Sequence, residues 1–500
     1  MKQIFHALCL LLLTQAATAQ SSDYITEPHR PQLHFSPKKG WMNDPNGMVY
    51  YNGKYHLFYQ HYPDSTVWGP MHWGHAVSPD LVHWEEQPIA LYPDAIGTIF
   101  SGSAVIDRDN TAGFGANAMI AIYTSHNHAM AKERFFKAQT QSIAYSLDEG
   151  KTWTKYNGNP VLPNPGIRDF RDPKVMWYEP AKQWIMTLAT KDHITFYSSP
   201  DLKSWKEESK FGQDLGAHGG VWECPDLIPF EVDGRQVWVL IVNLNPGAPN
   251  GGSGTQYFTG SFDGSVFTPD DTDTKWLDYG PDDYAGITWS NTGDEKLFIG
   301  WMSNWVYANI VPTKNWRSAT TVARKLGLTK EDGRYRVIST PVSALEELKT
   351  KEFTAKNKSV KKLDVTAGAG ALTGPAVLKF NTDEVKSFTV ELSNKAGEKV
   401  VIGYDRAANN YFVDRSKSGK TDFHKDFKNI ATAPRLSSAK NTDITLVIDN
   451  ASVELFADNG LSVMTTIFFP ESDYTNVTIH SADKLKIKDL SFKHLKSIWK

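Results

Sequence analysis

A short pattern occurs four times before residue 270, and it restricts the fold more than any other feature. It reads SPDLVHW at Ser78–Trp84, SLDEGKTW at Ser146–Trp153, SPDLKSW at Ser199–Trp205 and SFDGSVF at Ser261–Phe267. Each copy has Ser-x-Asp, a tight turn, then an aromatic residue, with Phe in place of Trp in the fourth. The copies begin 53 to 68 residues apart, at 78, 146, 199 and 261. Strand-like stretches lie between them, such as WIMTLAT at Trp184–Thr190 and VWVLIVNL at Val237–Leu244. Aromatic-rich β units at this spacing predict propeller blades, four to six of them. A large β-sandwich with recurring hairpins is the competing arrangement.

Tryptophan marks where this pattern ends. Of 16 Trp, 15 lie at or before Trp316, and only Trp499 follows. Beyond residue 340 the chain becomes Lys- and Ser-rich with alternating apolar positions. Leu345–Lys362 (LEELKTKEFTAKNKSVKK) reads as a short helix or linker, placing a boundary near residues 342–354. Ser387–Leu392 and Thr445–Ile448 read as strands. Asp449-Asn450 and Asn459-Gly460 read as turns around the strand Ala451–Ala457, so a second, β-sandwich domain is expected.

At the N-terminus, Met1-Lys2, the apolar run Ala7–Leu13 and Ala17-Thr18-Ala19 form a secretory signal cleaved before Gln20. The expected organisation is therefore a signal peptide at 1–19, a propeller at 20–345, and a linker with sandwich at 346–500. Export to the periplasm or the extracellular space follows. The apolar run is too short to span a bilayer, and no later stretch is long enough. Cys9 leaves with the signal, so Cys224 is the only mature cysteine and no internal disulfide is expected. Net charge is −3 with no concentrated basic stripe, which argues against nucleic acid or anionic membranes as partners.

Three carboxylates stand in unusual settings: Asp44 in WMNDPNG, Asp172 in FRDPKV and Glu223 in WECPDL. Each is followed by proline at once or after one residue. Taken singly, each reads as a turn former or surface charge; in successive blades they can meet at a propeller axis. Paired carboxylates flanking a sugar bond perform glycoside hydrolysis. Trp222 beside Glu223 predicts a raised pKa suited to a proton donor. Asp44, if supplied with donors such as the Asn43 amide, is expected to stay ionised.

These residues carry a resemblance to glycoside hydrolase family 32, the family of invertases, inulinases and levanases. WMNDPNG, FSGSAV (Phe100–Val105), FRDPKV and ECPDL resemble its signature motifs in its order. LDYGPDDYAG (Leu277–Gly286), GWMSNW (Gly300–Trp305) and the set Asp449, Ser452, Glu454, Phe456 and Gly460 resemble further family segments. The resemblance implies an all-β chain, a five-bladed β-propeller followed by a C-terminal β-sandwich. It implies a retaining reaction on β-fructofuranosides, with Asp44 as nucleophile, Glu223 as acid/base and Asp172 as transition-state stabiliser. It also implies that Asn43, Gln60, Trp68, Phe100, Ser101, Arg171, Tyr284 and Trp301 line the fructose pocket. No metal or cofactor is implied, and the acidic run Asp270–Asp273 lacks the spacing of a calcium loop. Where the family often has Pro-Arg-x-Leu, this chain has Ala323-Arg324-Lys325-Leu326, which places a local turn in question.

Other readings have distinct signatures. A Cys224 nucleophile with His218 as base requires a depressed thiol pKa. A non-catalytic sugar-binding module does not require three carboxylates, and a propeller glycosidase acting on arabinose or xylose polymers lacks the segments around Asp44 and Phe100. The expected substrate is fructan, levan or inulin and possibly sucrose, attacked from the chain end to release fructose. The alternative is an endo-acting levanase or inulinase releasing oligosaccharides. His126–Lys137 is expected to project near the pocket rim.

Overall fold

The computed structural model describes residues 24–133 and 136–499; the signal-peptide reading at 1–19 lies outside the described residues. Five antiparallel sheets follow one another along residues 40–91, 98–155, 170–211, 221–276 and 284–341. Their first strands are Gly40–Tyr51, Thr98–Asp107, Phe170–Tyr178, Val221–Val232 and Tyr284–Thr288. These five strands touch one another in a closed ring, first to second and so on, with the fifth returning to the first. The architecture is a five-bladed β-propeller with its inner strands around the axis. Trp316–Arg317, from the end of the propeller, pairs in parallel with Gly40–Trp41 and helps to close the ring.

The recurring Ser-x-Asp pattern is the turn between the third and fourth strands of blades 1 to 4. Asp80 Oδ1 accepts the N–H groups of Val82 and His83 at 3.0 and 2.8 Å, and Ser78 Oγ donates to the same oxygen at 3.0 Å. Asp201 and Asp263 accept two successive N–H groups in the same way. The indoles of Trp153 and Trp205 donate to the turn carbonyls of Gly150 and Leu202, both at 3.1 Å. In blade 5 the corresponding connection is Asp332-Gly333, a two-residue hairpin without Ser or aromatic. That substitution of turn chemistry is why the sequence shows four copies for five blades.

The C-terminal strands form a β-sandwich whose two layers share one long strand, Asn476–Leu495. Its first part pairs with Phe388–Ser393 and its second with Ala376–Thr382. Leu378, Val390, Ile402, Val453 and Phe492 meet in the core between the layers. The stretch Leu345–Lys362 is not the expected helix or linker. After a short 3-10 turn, Lys349–Asp364 runs as a 16-residue strand along Asn476–Leu495. It pairs on one side only and is largely exposed, so its lysines do what charges do on an edge: they oppose pairing with another chain.

A fully buried charge cluster joins propeller to sandwich. Arg324 reaches Glu454 Oε2 at 2.5 Å and Asp278 Oδ2 at 3.0 Å. His34 bridges Asp449 and Glu454 at 2.7 and 2.8 Å. The Ala323-Arg324-Lys325-Leu326 segment is thus no turn; it opens the strand Arg324–Glu331 and plants Arg324 in this cluster.

Candidate active site

All five inner strands break register at the same place. Against the second strand of each blade, two residues face one: Asn43-Asp44 opposite Gln60, Phe100-Ser101 opposite Thr124, Asp172-Pro173 opposite Leu188, Cys224-Pro225 opposite Val242, and Ala285-Gly286 opposite Gly300. Such bulges bend a strand and re-aim its side chains. Proline fits here because a bulge excuses one ladder N–H. Asp172, Cys224 and Ala285 take left-handed backbone (φ 64°, 41° and 53°), a conformation that costs non-glycine residues and concentrates at functional sites. The ring of bulges carries Asp44, Ser101 and Asp172, with Glu223 and Tyr284 immediately before theirs.

The carboxylates converge. Asp44 Oδ1 accepts the Asn43 amide at 2.8 Å and Oδ2 the Ser101 hydroxyl at 2.7 Å. Asn43 is itself held by the Trp41 indole at 2.7 Å. Asp172 Oδ2 accepts the Cys224 N–H at 3.0 Å. The Cys224 thiol lies 3.6 Å from both Asp44 Oδ2 and Asp172 Oδ2, so it sits between two blades' carboxylates. Glu223 Oε1 takes two bonds from Arg171, at 3.1 and 2.9 Å, and its Oε2 accepts the Tyr284 hydroxyl. Arg171 continues to Asp169 at 2.7 Å.

One guanidinium faces this group of acids. Burial weakens the Arg171 cation, but Glu223, Asp172 and Asp169 hold its proton more tightly than usual. Burial raises Asp172 to about 7; Arg171 opposes the shift, and Glu223 and Asp44 add to it. Asp44 is raised as well, by burial and then by Glu223. Its bonds from Ser101 and Asn43 pull the other way and are outweighed. The donors expected for Asp44 are present, yet they do not set its ionisation; desolvation does. The cluster as a whole therefore keeps a proton to higher pH than isolated carboxyls.

Trp222 does not provide the apolar surroundings expected for Glu223. Successive strand residues point to opposite faces, so Trp222 lies in the blade core against Phe258 and stacks on His218, 5.2 Å away. Glu223 faces Arg171 and Tyr284 instead. His218 stays stacked on Trp222 in the blade core, whereas the left-handed bulge at Cys224 aims the thiol at Asp44 and Asp172, and burial and the neighbouring carboxylates push that thiol well above its usual range. A thiolate nucleophile is not what this geometry provides.

Of the other candidates, Trp301 pairs with Tyr284 across blade 5 and packs on Trp41, 6.1 Å between rings. Gln60 Nε2 and Trp301 Nε1 are buried donors with no hydrogen-bond partner among the described residues. Buried N–H groups of this kind are the equipment a sugar hydroxyl can use. Phe100 and Trp68 stand further out, in edge contact at 6.1 Å, with Trp68 37% exposed. The sequence reading missed Trp41, Thr124, Gln139 and Asp169. Thr124 accepts the Asp172 N–H at 3.0 Å, and Gln139 lies 3.5 Å from Arg171. Asp169 stands three residues before Asp172 and two before Arg171, the one signal that could have found it.

Known proteins agree with this architecture. The model of the glycosyl hydrolases family 32 N-terminal domain matches residues 34–341, and that of the family's C-terminal region matches 342–495. A levanase of Bacillus subtilis is 46% identical over 98% of this chain and 74% of its own. An extracellular exo-inulinase of Aspergillus niger is 37% identical over 96% of both chains. The crystal structure of an exo-inulinase from Aspergillus awamori superposes with a TM-score of 0.86 at 34% identity, covering 95% of this chain and all of that one. The overall fold is accordingly shared with that exo-inulinase, and the chain belongs to glycosyl hydrolases family 32.

Proposed function

We propose that the protein is an exported β-fructofuranosidase that hydrolyses fructans with retention, releasing fructose from the chain end. One observation carries the reading: three carboxylates, Asp172 buried and Asp44 and Glu223 half-buried, meet at the propeller axis in different settings. Asp44, between the Asn43 amide and the Ser101 hydroxyl, is the nucleophile that attacks the anomeric C2 of fructose. Glu223 gives its proton to the leaving oxygen, then takes one from the water that releases the fructosyl-enzyme. Arg171 and Tyr284 hold both Glu223 oxygens, fixing the carboxyl through this change of role. Asp172, oriented by Cys224 N–H, receives sugar hydroxyls and balances the positive charge that develops on the ring. Asn43, Gln60, Ser101 and Trp301 supply the buried polar lining. The leader-like first 19 residues and the extracellular relative support export, and the levanase and exo-inulinase relatives support the substrate class.

Incubation with levan, inulin and sucrose, followed by timed product chromatography, tests the reading. Fructose as the only early product is expected; early oligosaccharides mean endo-attack, and no sugar from any of the three sinks the proposal. Asp44→Asn should lower turnover by more than roughly 10³-fold. Glu223→Gln should lose about 10²–10⁴-fold on fructan. It should lose far less on an aryl fructoside, whose leaving group needs no proton. Equal losses on both substrates contradict the acid assignment.

A further inference from the structure

Beside Arg171 rises a wall of aromatic and imidazole rings that the chemistry above does not use. Phe100 lies flat on His126, with centroids 4.3 Å apart and planes within 7°. His128 meets His126 edge-on at 4.6 Å and Trp68 at 6.1 Å. Trp68 is steadied by its N–H bond to Asn309 at 2.9 Å. His128 opens a short helix, His128–Lys132, capped by the Asn127 side chain. This is the connection between the second and third strands of blade 2, which the sequence marked as a rim segment.

The hydrogen bonds fix what each imidazole offers. Gln139 Oε1 accepts the Phe170 N–H at 2.8 Å and faces Arg171, so the amide nitrogen is the end turned toward His126. That nitrogen lies 3.3 Å from His126 Nδ1. An amide NH₂ can only donate, hence Nδ1 accepts and the proton of neutral His126 sits on Nε2. At the second ring, Thr98 Oγ1 donates to the His126 carbonyl at 3.4 Å and receives from His128 Nε2 at 3.2 Å. His128 Nδ1 then carries a lone pair. Burial, reinforced by His128 and Arg171, brings His126 down to about 4, and burial lowers His128 as well, so both rings are neutral at working pH. Side by side, the pair presents one fixed N–H donor and one fixed acceptor, which is what two adjacent sugar hydroxyls require.

Position decides which sugar. Asn43, Ser101 and Trp301 around Asp44 are buried, whereas Trp68 and His128 are exposed. The wall joins the catalytic group through Gln139 and Arg171 to Glu223, the carboxyl that must touch the glycosidic oxygen. Beyond that oxygen, on the solvent side, lies the sugar that leaves. We propose that His126 and His128, backed by Phe100 and Trp68, are the seat of the leaving fructosyl unit and discriminate fructan from other β-fructosides. This rests on the reading of the protein as a fructan hydrolase.

The test compares His126→Ala, His128→Ala and His126→Gln with wild type on levan, on inulin and on 4-nitrophenyl β-D-fructofuranoside. Loss of either ring's hydrogen bond should lower kcat/KM on fructan about tenfold or more, chiefly through KM. The aryl substrate, which has no leaving-group hydroxyls, should be cleaved within about twofold of wild type. His126→Gln places an amide N–H near the lost Nε2–H and should recover most of the fructan activity; Tm should be unchanged throughout. Equal losses on fructan and aryl substrate, or full fructan activity in both alanine variants, overturn the histidine seat while leaving the fructan reading intact. Wild-type protein that releases nothing from levan or inulin overturns the fructan reading first.

Discussion

Asp172 is the one carboxylate of the catalytic trio that is buried. It combines left-handed backbone, burial and two acidic neighbours. Its folded pKa lies above the ordinary value, so the folded state favours the protonated form. The stability this group contributes is therefore full below about pH 4 and is lost as pH rises through about 7. Asp172→Asn keeps an oxygen for the Cys224 N–H and removes the charge. Thermal unfolding should show the variant level with wild type near pH 4. At pH 8 it should be more stable, on the order of 1 kcal/mol or more, although nearly inactive. No stability gain at pH 8 would remove electrostatic strain from the account of this site. The convergence of the three acids was legible because Pro45, Pro173 and Pro225 mark the bulged segments that aim them. Their ionisation was not, because burial and mutual distance arise only when five blades close. Trp222 shows the same limit from the other side: adjacency in sequence placed it beside Glu223, and the strand's alternation sent it to the opposite face.

Among the elements, the turn between the third and fourth strands is the unit that repeats, and its energetics are local. In blade 3, Asp201 Oδ1 accepts the Lys203 and Ser204 N–H groups at 2.9 and 2.7 Å, while Ser199 Oγ donates to it at 3.2 Å. Asp201→Ala strands those donors and should destabilise the protein by about 1–2 kcal/mol. The remaining folded enzyme should have unchanged kcat, since this turn belongs to the outer strands of its blade and not to the bulged inner one. A shift in kcat as large as the loss of stability would show that the blade's outer turn supports the bulge. Four blades were legible from this turn because its Asp ties down the turn N–H groups and its Ser and aromatic recur with it. The fifth was hidden because Asp332-Gly333 closes its hairpin by backbone conformation alone. Lys349–Asp364 misled for a related reason: an exposed edge strand needs little apolar alternation, and its lysines resemble a linker.

For the whole molecule, what matters is how the sandwich is fastened, and the fastening is ionic as well as apolar. His34, from the segment before blade 1, has both ring nitrogens on carboxylates of the sandwich, and Arg324 of blade 5 shares Glu454 with it. Burial works against the His34 imidazolium, but the hydrogen bonds and charges of Asp449 and Glu454 overcome it and hold its pKa at about 9. Glu454 is lowered despite its burial, with Arg324 as the chief opposing cause and His34 next. Removing one member of such a cluster leaves the others buried without a counter-charge, which is costly. The raised histidine contributes stability that is complete below about pH 6.5 and disappears as pH rises through about 9. Wild-type protein should thus lose on the order of 2–3 kcal/mol of stability between pH 6.5 and 9.5 from this group. His34→Gln, which removes the charge and keeps an amide N–H donor for one of the carboxylates, should be less stable at pH 6.5 and should lack that part of the alkaline decline. Equilibrium unfolding of both proteins across this range measures the difference, and parallel curves would show that His34 is neutral in the fold. Because Arg324 also reaches Asp278 and lies 3.5 Å from Asp283, the residue before Tyr284, the clamp adjoins the strand that presents Tyr284 to Glu223. Loosening at alkaline pH should therefore appear as a fall in kcat with the same midpoint, near pH 9, that the unfolding curves report.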